Sequence, residues 1–183
     1  MPLPSADELE QLPEIEKQWA VKAMHHAETY FKLISSVDGK SLRLTSIDDE
    51  IYEDFMKTFP DFSIVDVDEN GMKTPEAKNI WREWIMKYEK SVNDYNFGTL
   101  LRKNVNGDYT EENTIFGKSF KSFFLKKNPP PDDPQFVQHL FFHIFIFPNL
   151  SDQMDIVTRI QFIAIEIARN KQGLNSHLVQ KKD

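Results

Sequence analysis

No cysteine occurs in the 183 residues. That excludes a disulfide framework, thiolate catalysis and cysteine-based zinc sites together. Glycine is scarce: the six stand at positions 39, 71, 98, 107, 117 and 173, no two closer than nine residues. A dinucleotide or adenosylmethionine fingerprint needs closely spaced glycines, so that the backbone can turn sharply against its ligand, and a Walker loop needs two of them five apart. Neither can be written with this set; Gly117-Lys118-Ser119 ends like a Walker loop but lacks the upstream glycine. No run of about 18 apolar residues is present to cross a membrane as a helix. The first residues carry neither the basic nor the apolar stretch of a secretory signal. Basic charge is in the minority, 22 Lys and Arg against 29 Asp and Glu, for a net charge of −7, which argues against broad binding to a phosphate backbone. What is abundant is apolar and aromatic: 40% hydrophobic residues, with fifteen Phe, five Tyr and three Trp, enough for one sizeable core. The expectation is an acidic, intracellular domain with no metal, cofactor, nucleic-acid or membrane partner.

Periodicity predicts an all-α domain of about four main helices in residues 1–183. From about Pro13 to Val37, Trp19, Ala23, Ala27, Tyr30 and Ile34 recur in steps of four, four, three and four, one face of a helix stopped by Asp38-Gly39. A second helix starts near Ser46 as N-cap, carries Asp48, Asp49 and Glu50 in its first turn, and ends at Pro60; its stripe is Ile47, Ile51, Phe55 and Phe59. Phe62–Val67 alternates weakly, as a short strand without an evident partner. Thr74-Pro75-Glu76 is the N-cap, first-position proline and acidic first turn of a third helix, with Trp81, Trp84, Ile85, Tyr88, Val92 and Tyr95 as its stripe. Asn96–Phe116 is turn and cap chemistry, a long irregular loop. The last helix runs from Val157 to about Gln172 with Gly173 as its stop, apolar on every face and so nearly buried. A polar tail, 174–183, is expected to fray.

Residues 117–156 fit this pattern poorly. They hold eight of the fifteen Phe, the Pro129-Pro130-Pro131 run and the apolar cluster Leu140–Phe147, with no helical caps or period. A covered strand is one reading. Another comes from the genetic code: Gly-Lys-Ser can be written GGT AAG T, a splice-donor consensus, and Ile156-Val157 as ATA GTN, an acceptor. The Phe, Leu, Pro and Ser between them suit a translated pyrimidine tract. Removing 40 codons joins Phe116 to a valine codon in frame. The segment is thus either a retained intron or a real insertion loop, expected to stay outside the core and to lower solubility.

Five stretches carry a resemblance. They are AMHHAETYFKLISSV over 23–37, LTSIDDEIY over 44–52, YNFGTLLR over 95–102, YTEENTIF over 109–116 and RIQFIAIEIARN over 159–170. In this order they resemble the polysaccharide biosynthesis domain-containing protein 1 family of eukaryotes, over nearly the whole chain outside 117–156. In the family the Thr-Ile-Phe motif runs straight into the last helix. The resemblance implies a small, mainly helical protein of the cytoplasm and also of the nucleus. The family name points to polysaccharide biosynthesis, through a label shared with plant cell-wall methyltransferases. The fungal member is known instead as a dedicated chaperone of nascent translation elongation factor 1-alpha, protecting its GTP-binding domain, and the ribosome is then where the two meet.

The residues themselves favour a non-enzyme. His25 and His26 are adjacent on a helix, about 100° apart, and cannot chelate one metal as an i, i+4 pair would. His139 and His143 have that spacing, but in a non-helical context. Asp48, Asp49 and Glu50 read as dipole complementarity; Trp81 and Trp84 as core anchors. No Ser-His-Asp set or Gly-rich loop supplies a nucleophile or cofactor cradle. The methyltransferase alternative fails on its missing glycines and on length. Polar residues concentrate instead in the 96–113 loop and the last helix: Tyr95, Asn96, Phe97, Gly98, Arg102, Tyr109, Glu111, Glu112, Asn113, Arg159, Glu166 and Arg169. Two readings stay open for them, ion pairs fixing the loop against the helix, and a partner-binding surface with aromatic and Arg anchors.

Overall fold

The computed structural model describes residues 12–110, 112–115 and 157–179, and side chains from Lys22 on, Met24 apart. Expectations for Glu111, for the 117–156 segment with His139 and His143, and for Trp19's side chain lie outside the described residues. Helix α1 spans Leu12–Ser36, α2 Asp48–Thr58, the four-residue α3 Glu69–Met72, α4 Pro75–Met86 and α5 Arg159–Lys171. Four two-residue strands accompany them: β1 Gly98–Thr99, β2 Leu101–Arg102, β3 Thr114–Ile115 and β4 Val157–Thr158. The all-α expectation is therefore corrected to a mainly helical domain with short antiparallel pairs, β1 with β4 and β2 with β3. The strands were hidden because two-residue elements carry no period.

Local chemistry explains the boundaries. Thr74 caps α4, its hydroxyl accepting from the Ala77 amide at 3.2 Å, with Pro75 at the first helical position. For α2 the cap differs from expectation. The helix begins at Asp48, not after Ser46, and the buried Asp48 carboxylate accepts from the Leu44 amide (2.8 Å) and the Thr45 amide and hydroxyl (2.7 Å each). A turn of chain before the helix is thereby folded onto its first residue. Gly173 sits at φ +72° just past α5, the left-handed stop that glycine accepts without steric cost. The weak strand at 62–67 is reduced to one bridge, Asp66 opposite Asn104.

α5 is the central rod. All residues from Ile160 to Asn170 are buried, which is why its sequence is apolar on every face. α2 lies against it, and Tyr30 and Ile34 of α1 close another side. An aromatic cluster fills the gap between α2 and α4: Phe59 stacks on Trp81 at 3.9 Å, and Phe55, Phe62 and Trp84 surround that pair. Trp81 and Trp84 are core anchors, both 1% exposed. Aromatic pairs at these separations add about 0.5–1.5 kcal/mol beyond area burial. α4 stops at Met86, but Tyr88 and Val92 continue its buried stripe through turns.

Candidate functional site

Three of the sequence-selected residues meet inside the protein. Arg102, Glu166 and Arg169 are each 0% exposed, although charged side chains are almost never fully buried unless paired. Arg169 donates from Nη1 to Glu166 Oε1 at 2.7 Å, from Nε to the Ile64 carbonyl at 2.7 Å, and from Nη2 to the Arg102 and Lys103 carbonyls at 3.0 and 2.9 Å. Arg102 donates to the Val105 carbonyl at 3.1 Å and to Asn175 Oδ1 at 2.7 Å, and lies 3.6 Å from Glu166 Oε2. Two guanidiniums thus share one carboxylate; backbone carbonyls and Asn175 take up further donors, and the buried Arg102 Nε has no hydrogen-bond partner. Tyr30 and Asn175 donate to Glu166 Oε2 at 2.9 and 3.0 Å. Asn170 joins Tyr30 to Asn175, donating to the phenol oxygen at 3.1 Å and accepting from Asn175 at 2.7 Å.

Burial alone would push the Glu166 carboxyl up. The charges of Arg169 and Arg102, with hydrogen bonds from Arg169 and Asn175, outweigh it and hold the carboxyl below its ordinary value. Tyr30 is pushed well above the usual phenol value, first by burial and then by Glu166. The Tyr109 hydroxyl is pushed up as well, again chiefly by burial. Neither phenol ionises near neutral pH. The network is a clamp: it ties helix α5, the 102–107 chain and Ile64 to one another through side chains that never reach solvent.

Tyr30 and Asn175 were missed as members of this set. Tyr30 looks like one more apolar stripe residue, and only its buried hydroxyl makes it a donor. Asn175 lies in the stretch expected to fray. For residues 174–179 that expectation is corrected: Asn175 is 0% exposed, Leu174 packs on the core, and Ser176–Leu178 forms a 3-10 turn. The signal in the sequence was Gly173, whose left-handed turn sends the chain back against α5.

The remaining selected residues lie around the clamp. Arg159 and Ile160 open α5, where the first amides have no partner within the helix. The Phe97 carbonyl accepts from Arg159 N at 2.6 Å and the Tyr95 carbonyl from Ile160 N at 3.0 Å. Segment 95–97 is thereby pinned across the helix start. Of its side chains Asn96 is exposed and Phe97 half-buried, while half-buried Tyr95 packs back against the core. Lys22 stands over the Phe97 ring at 4.4 Å and 3.6 Å from Asp94, and half-buried Arg159 approaches Asp94 at 4.0 Å. Gly98 is buried in β1. At the other end of the loop Tyr109 packs edge-on against Phe31 at 5.9 Å, and both rings flank the Arg102 guanidinium. Asn113 is an organiser of its loop: it donates to the Asn104 and Asp108 carbonyls at 3.0 Å each and accepts from the Asn104 amide at 2.8 Å. Glu112 is exposed.

The eleven described positions therefore do not form one surface. Arg102, Glu166 and Arg169 fix the loop to the helix from within; Asn96, Phe97 and Arg159 make an outer patch with Tyr95 packed beneath it; Tyr109, Glu112 and Asn113 lie at the far end of the loop, where Tyr109 flanks Arg102. His25 is exposed, whereas His26 turns inward and meets Phe162 edge-on at 4.9 Å. Along α2, Asp49, Glu50, Glu53 and Asp54 line a surface groove with Lys57, Lys87 and Tyr88. Lys87 and the Tyr88 hydroxyl donate to Asp54 at 3.0 Å each, and Lys171 reaches Asp49. Among the described residues no helix is long and apolar enough to cross a membrane.

These features define a small, mainly helical domain whose last helix is buried and locked by an Arg–Glu–Arg clamp. A family model described as PBDC1 protein matches residues 15–126, and the chain belongs to the PBDC1 family. It is 39% identical to the PBDC1 homologue of Saccharomyces cerevisiae, the match covering 97% of each chain. It is 40% identical to mouse PBDC1 over 89% of this chain and 62% of the mouse protein. A solution NMR structure of the Saccharomyces cerevisiae protein yst0336 superposes with a TM-score of 0.65 at 40% identity, covering 97% of this chain and 95% of that one.

Proposed function

We propose that the protein is a non-enzymatic chaperone that binds newly synthesised translation elongation factor 1-alpha, through its GTP-binding domain, while that domain folds. The identity of the client comes from the resemblance to the fungal family member. The observation that carries the binding role is the 95–97 segment: its backbone is pinned to the start of α5, Asn96 is exposed, and the half-buried Phe97 ring lies under Lys22, which pairs with Asp94 beside Arg159. Aromatic and Arg anchors on a rigid base are what a protein-binding patch requires, because little ordering entropy is then lost on association. The net charge of −7 and the carboxylates along α2 favour approach of a basic client surface. The cytoplasm, at the ribosome, is where such a client is met.

The test is capture of the tagged full chain from cells with and without a translation block, reading elongation factor 1-alpha in the eluate. Newly made factor is enriched, and the enrichment disappears under the block. Equal recovery in both conditions, or none in either, contradicts the proposal.

A further inference from the structure

The two small sheets are joined by their numbering. Residues 98–102 are one run of chain: β1, then Leu100, then β2. Gly98 pairs with Thr158 and Thr99 with Val157, each pair totalling 256; Leu101 pairs with Ile115 and Arg102 with Thr114, each totalling 216. In an unbroken antiparallel ladder this total is constant, since one strand counts up as the other counts down. Here it is constant within each pair of strands and steps by 40 between them, across the single residue Leu100. Subtracting 40 from Val157 and Thr158 makes them positions 117 and 118 of one strand that begins at Thr114, with position 116 opposite Leu100. A β-bulge adds one residue, or a few, to a strand; here the numbering steps by 40 between the rungs on either side of Leu100.

Side-chain faces agree with the spliced numbering. In a strand, residues two apart share a face. Ile115 and Val157, which become two apart, stand opposite Leu101 and Thr99, also two apart and on one face, although Arg102 and Thr114 on the other face are buried as well. The length also matches a reading that owes nothing to structure. Were Gly117-Lys118-Ser119 encoded as GGT AAG T and Ile156-Val157 as ATA GTN, excision between them would remove 40 codons and join Phe116 to valine. Sheet register and codon arithmetic arrive at the same 40 residues by separate routes.

We infer that residues 117–156 are an insertion within a single β-strand, and that the 143-residue chain joining Phe116 to Val157 is sufficient for the fold. In that chain 98–102 and 114–118 form one continuous hairpin arm, with Phe116 opposite Leu100, and α5 follows directly.

Two deletions test this beside the full chain. Removal of 117–156 preserves the register. Removal of 117–157 takes one residue more, shifts Thr158 into the rung of Val157 and so onto the opposite face, and draws the start of α5 one residue out of its seat on the Phe97 and Tyr95 carbonyls. The first shortened chain is expected to unfold cooperatively at the same temperature as the full chain or higher, because a shorter loop costs less closure entropy. Its nuclear Overhauser contacts are expected to join Thr99 to Val157 and Leu101 to Ile115. The second is expected to lose the cooperative transition or melt well below the first. An unfolded first deletion, or two deletions of equal stability, overturns the inference.

Discussion

Glu166 accepts from Arg169 at 2.7 Å, one helical turn away, with neither side chain exposed to solvent. A buried ion pair is not by itself stabilising, because desolvating two ions costs several kcal/mol each. Here the cost is offset at Arg169 and Glu166: Arg169 has four acceptors, and Glu166 has Tyr30 and Asn175 as further donors, while Arg102 Nε stays unpartnered. What such a pair does is make one arrangement of the loop and α5 far better than any other.

Removing one partner should therefore be severe. Glu166→Gln leaves two buried guanidiniums with no carboxylate, and a loss of about 3–5 kcal/mol is expected. Arg169→Lys also fails, since an ammonium cannot reach four acceptors spread around a planar fork. Urea unfolding reads both; a midpoint within experimental error of the parent for Glu166→Gln would contradict the clamp.

The same carboxyl sets an acid limb. Its folded value lies below the ordinary 4.5, so its contribution is fully present above about 4.5 and is lost as pH falls through the lower, folded value. Stability measured from pH 5 downward should decline in the parent and decline less steeply in Glu166→Gln, which has no proton to take up at that position.

His26 contributes at higher pH. Burial, and then the positive charge of Arg159, lower it from 6.5. The folded protein thus resists protonation that the unfolded chain accepts, and stability present above about pH 6.5 falls as the pH drops toward the lower folded value. His26→Phe should flatten the stability profile between about pH 6.5 and 5. An unchanged slope would show that the imidazole is not held neutral.

Gly173 offers a backbone test. At φ +72° a Cβ is strained, and one placed there would also stand 2.6 Å from Lys40 Cε, the movable end of a side chain. Gly173→Ala should cost about 1–2 kcal/mol, read by thermal unfolding. Because Asn175 follows it, loosening of the turn should also appear as faster hydrogen exchange at the amides of 174 and 175.

At the nucleic-acid level, messenger RNA from the source cells should include a form 120 nucleotides shorter, joining codon 116 to a valine codon. Sequencing of complementary DNA reads it directly. Only the long form, in every growth condition, would make 117–156 a constant part of the protein.

Much of the helical framework was legible in the sequence because it is repetitive: the stripes of α1, α2 and α4 are spaced evenly, and Pro75 and Gly173 mark ends by their backbone restrictions. α5 was legible as buried because it is apolar all round. The strands were not, since Gly98, Leu101 and Ile115 pair through backbone groups whose partners lie far away in number. Of the candidate site, the charged members Arg102, Glu166 and Arg169 stood out as misfits in apolar surroundings. Their grouping with Tyr30 and Asn175 did not, because a phenol on a core stripe and an amide past a helix end look ordinary until the fold brings them together. The same distance in sequence hid the division between buried clamp and outer patch.

That division predicts separable effects. Phe97 holds Arg159 through its backbone carbonyl, which a side-chain change leaves in place. Phe97→Asp should leave the melting temperature nearly unchanged while weakening client capture at least about fivefold, the effect of losing about 1 kcal/mol at an anchor. Equal capture by parent and variant would remove the outer patch from the binding surface.

The most direct measurement dilutes the unfolded GTP-binding domain of elongation factor 1-alpha into native buffer with and without the purified full chain, and follows the yield of nucleotide-binding domain. The account predicts that the chain raises the yield and suppresses light scattering, and that Phe97→Asp does so less well. A yield that is the same with the chain, with the variant and with an unrelated acidic protein would contradict it.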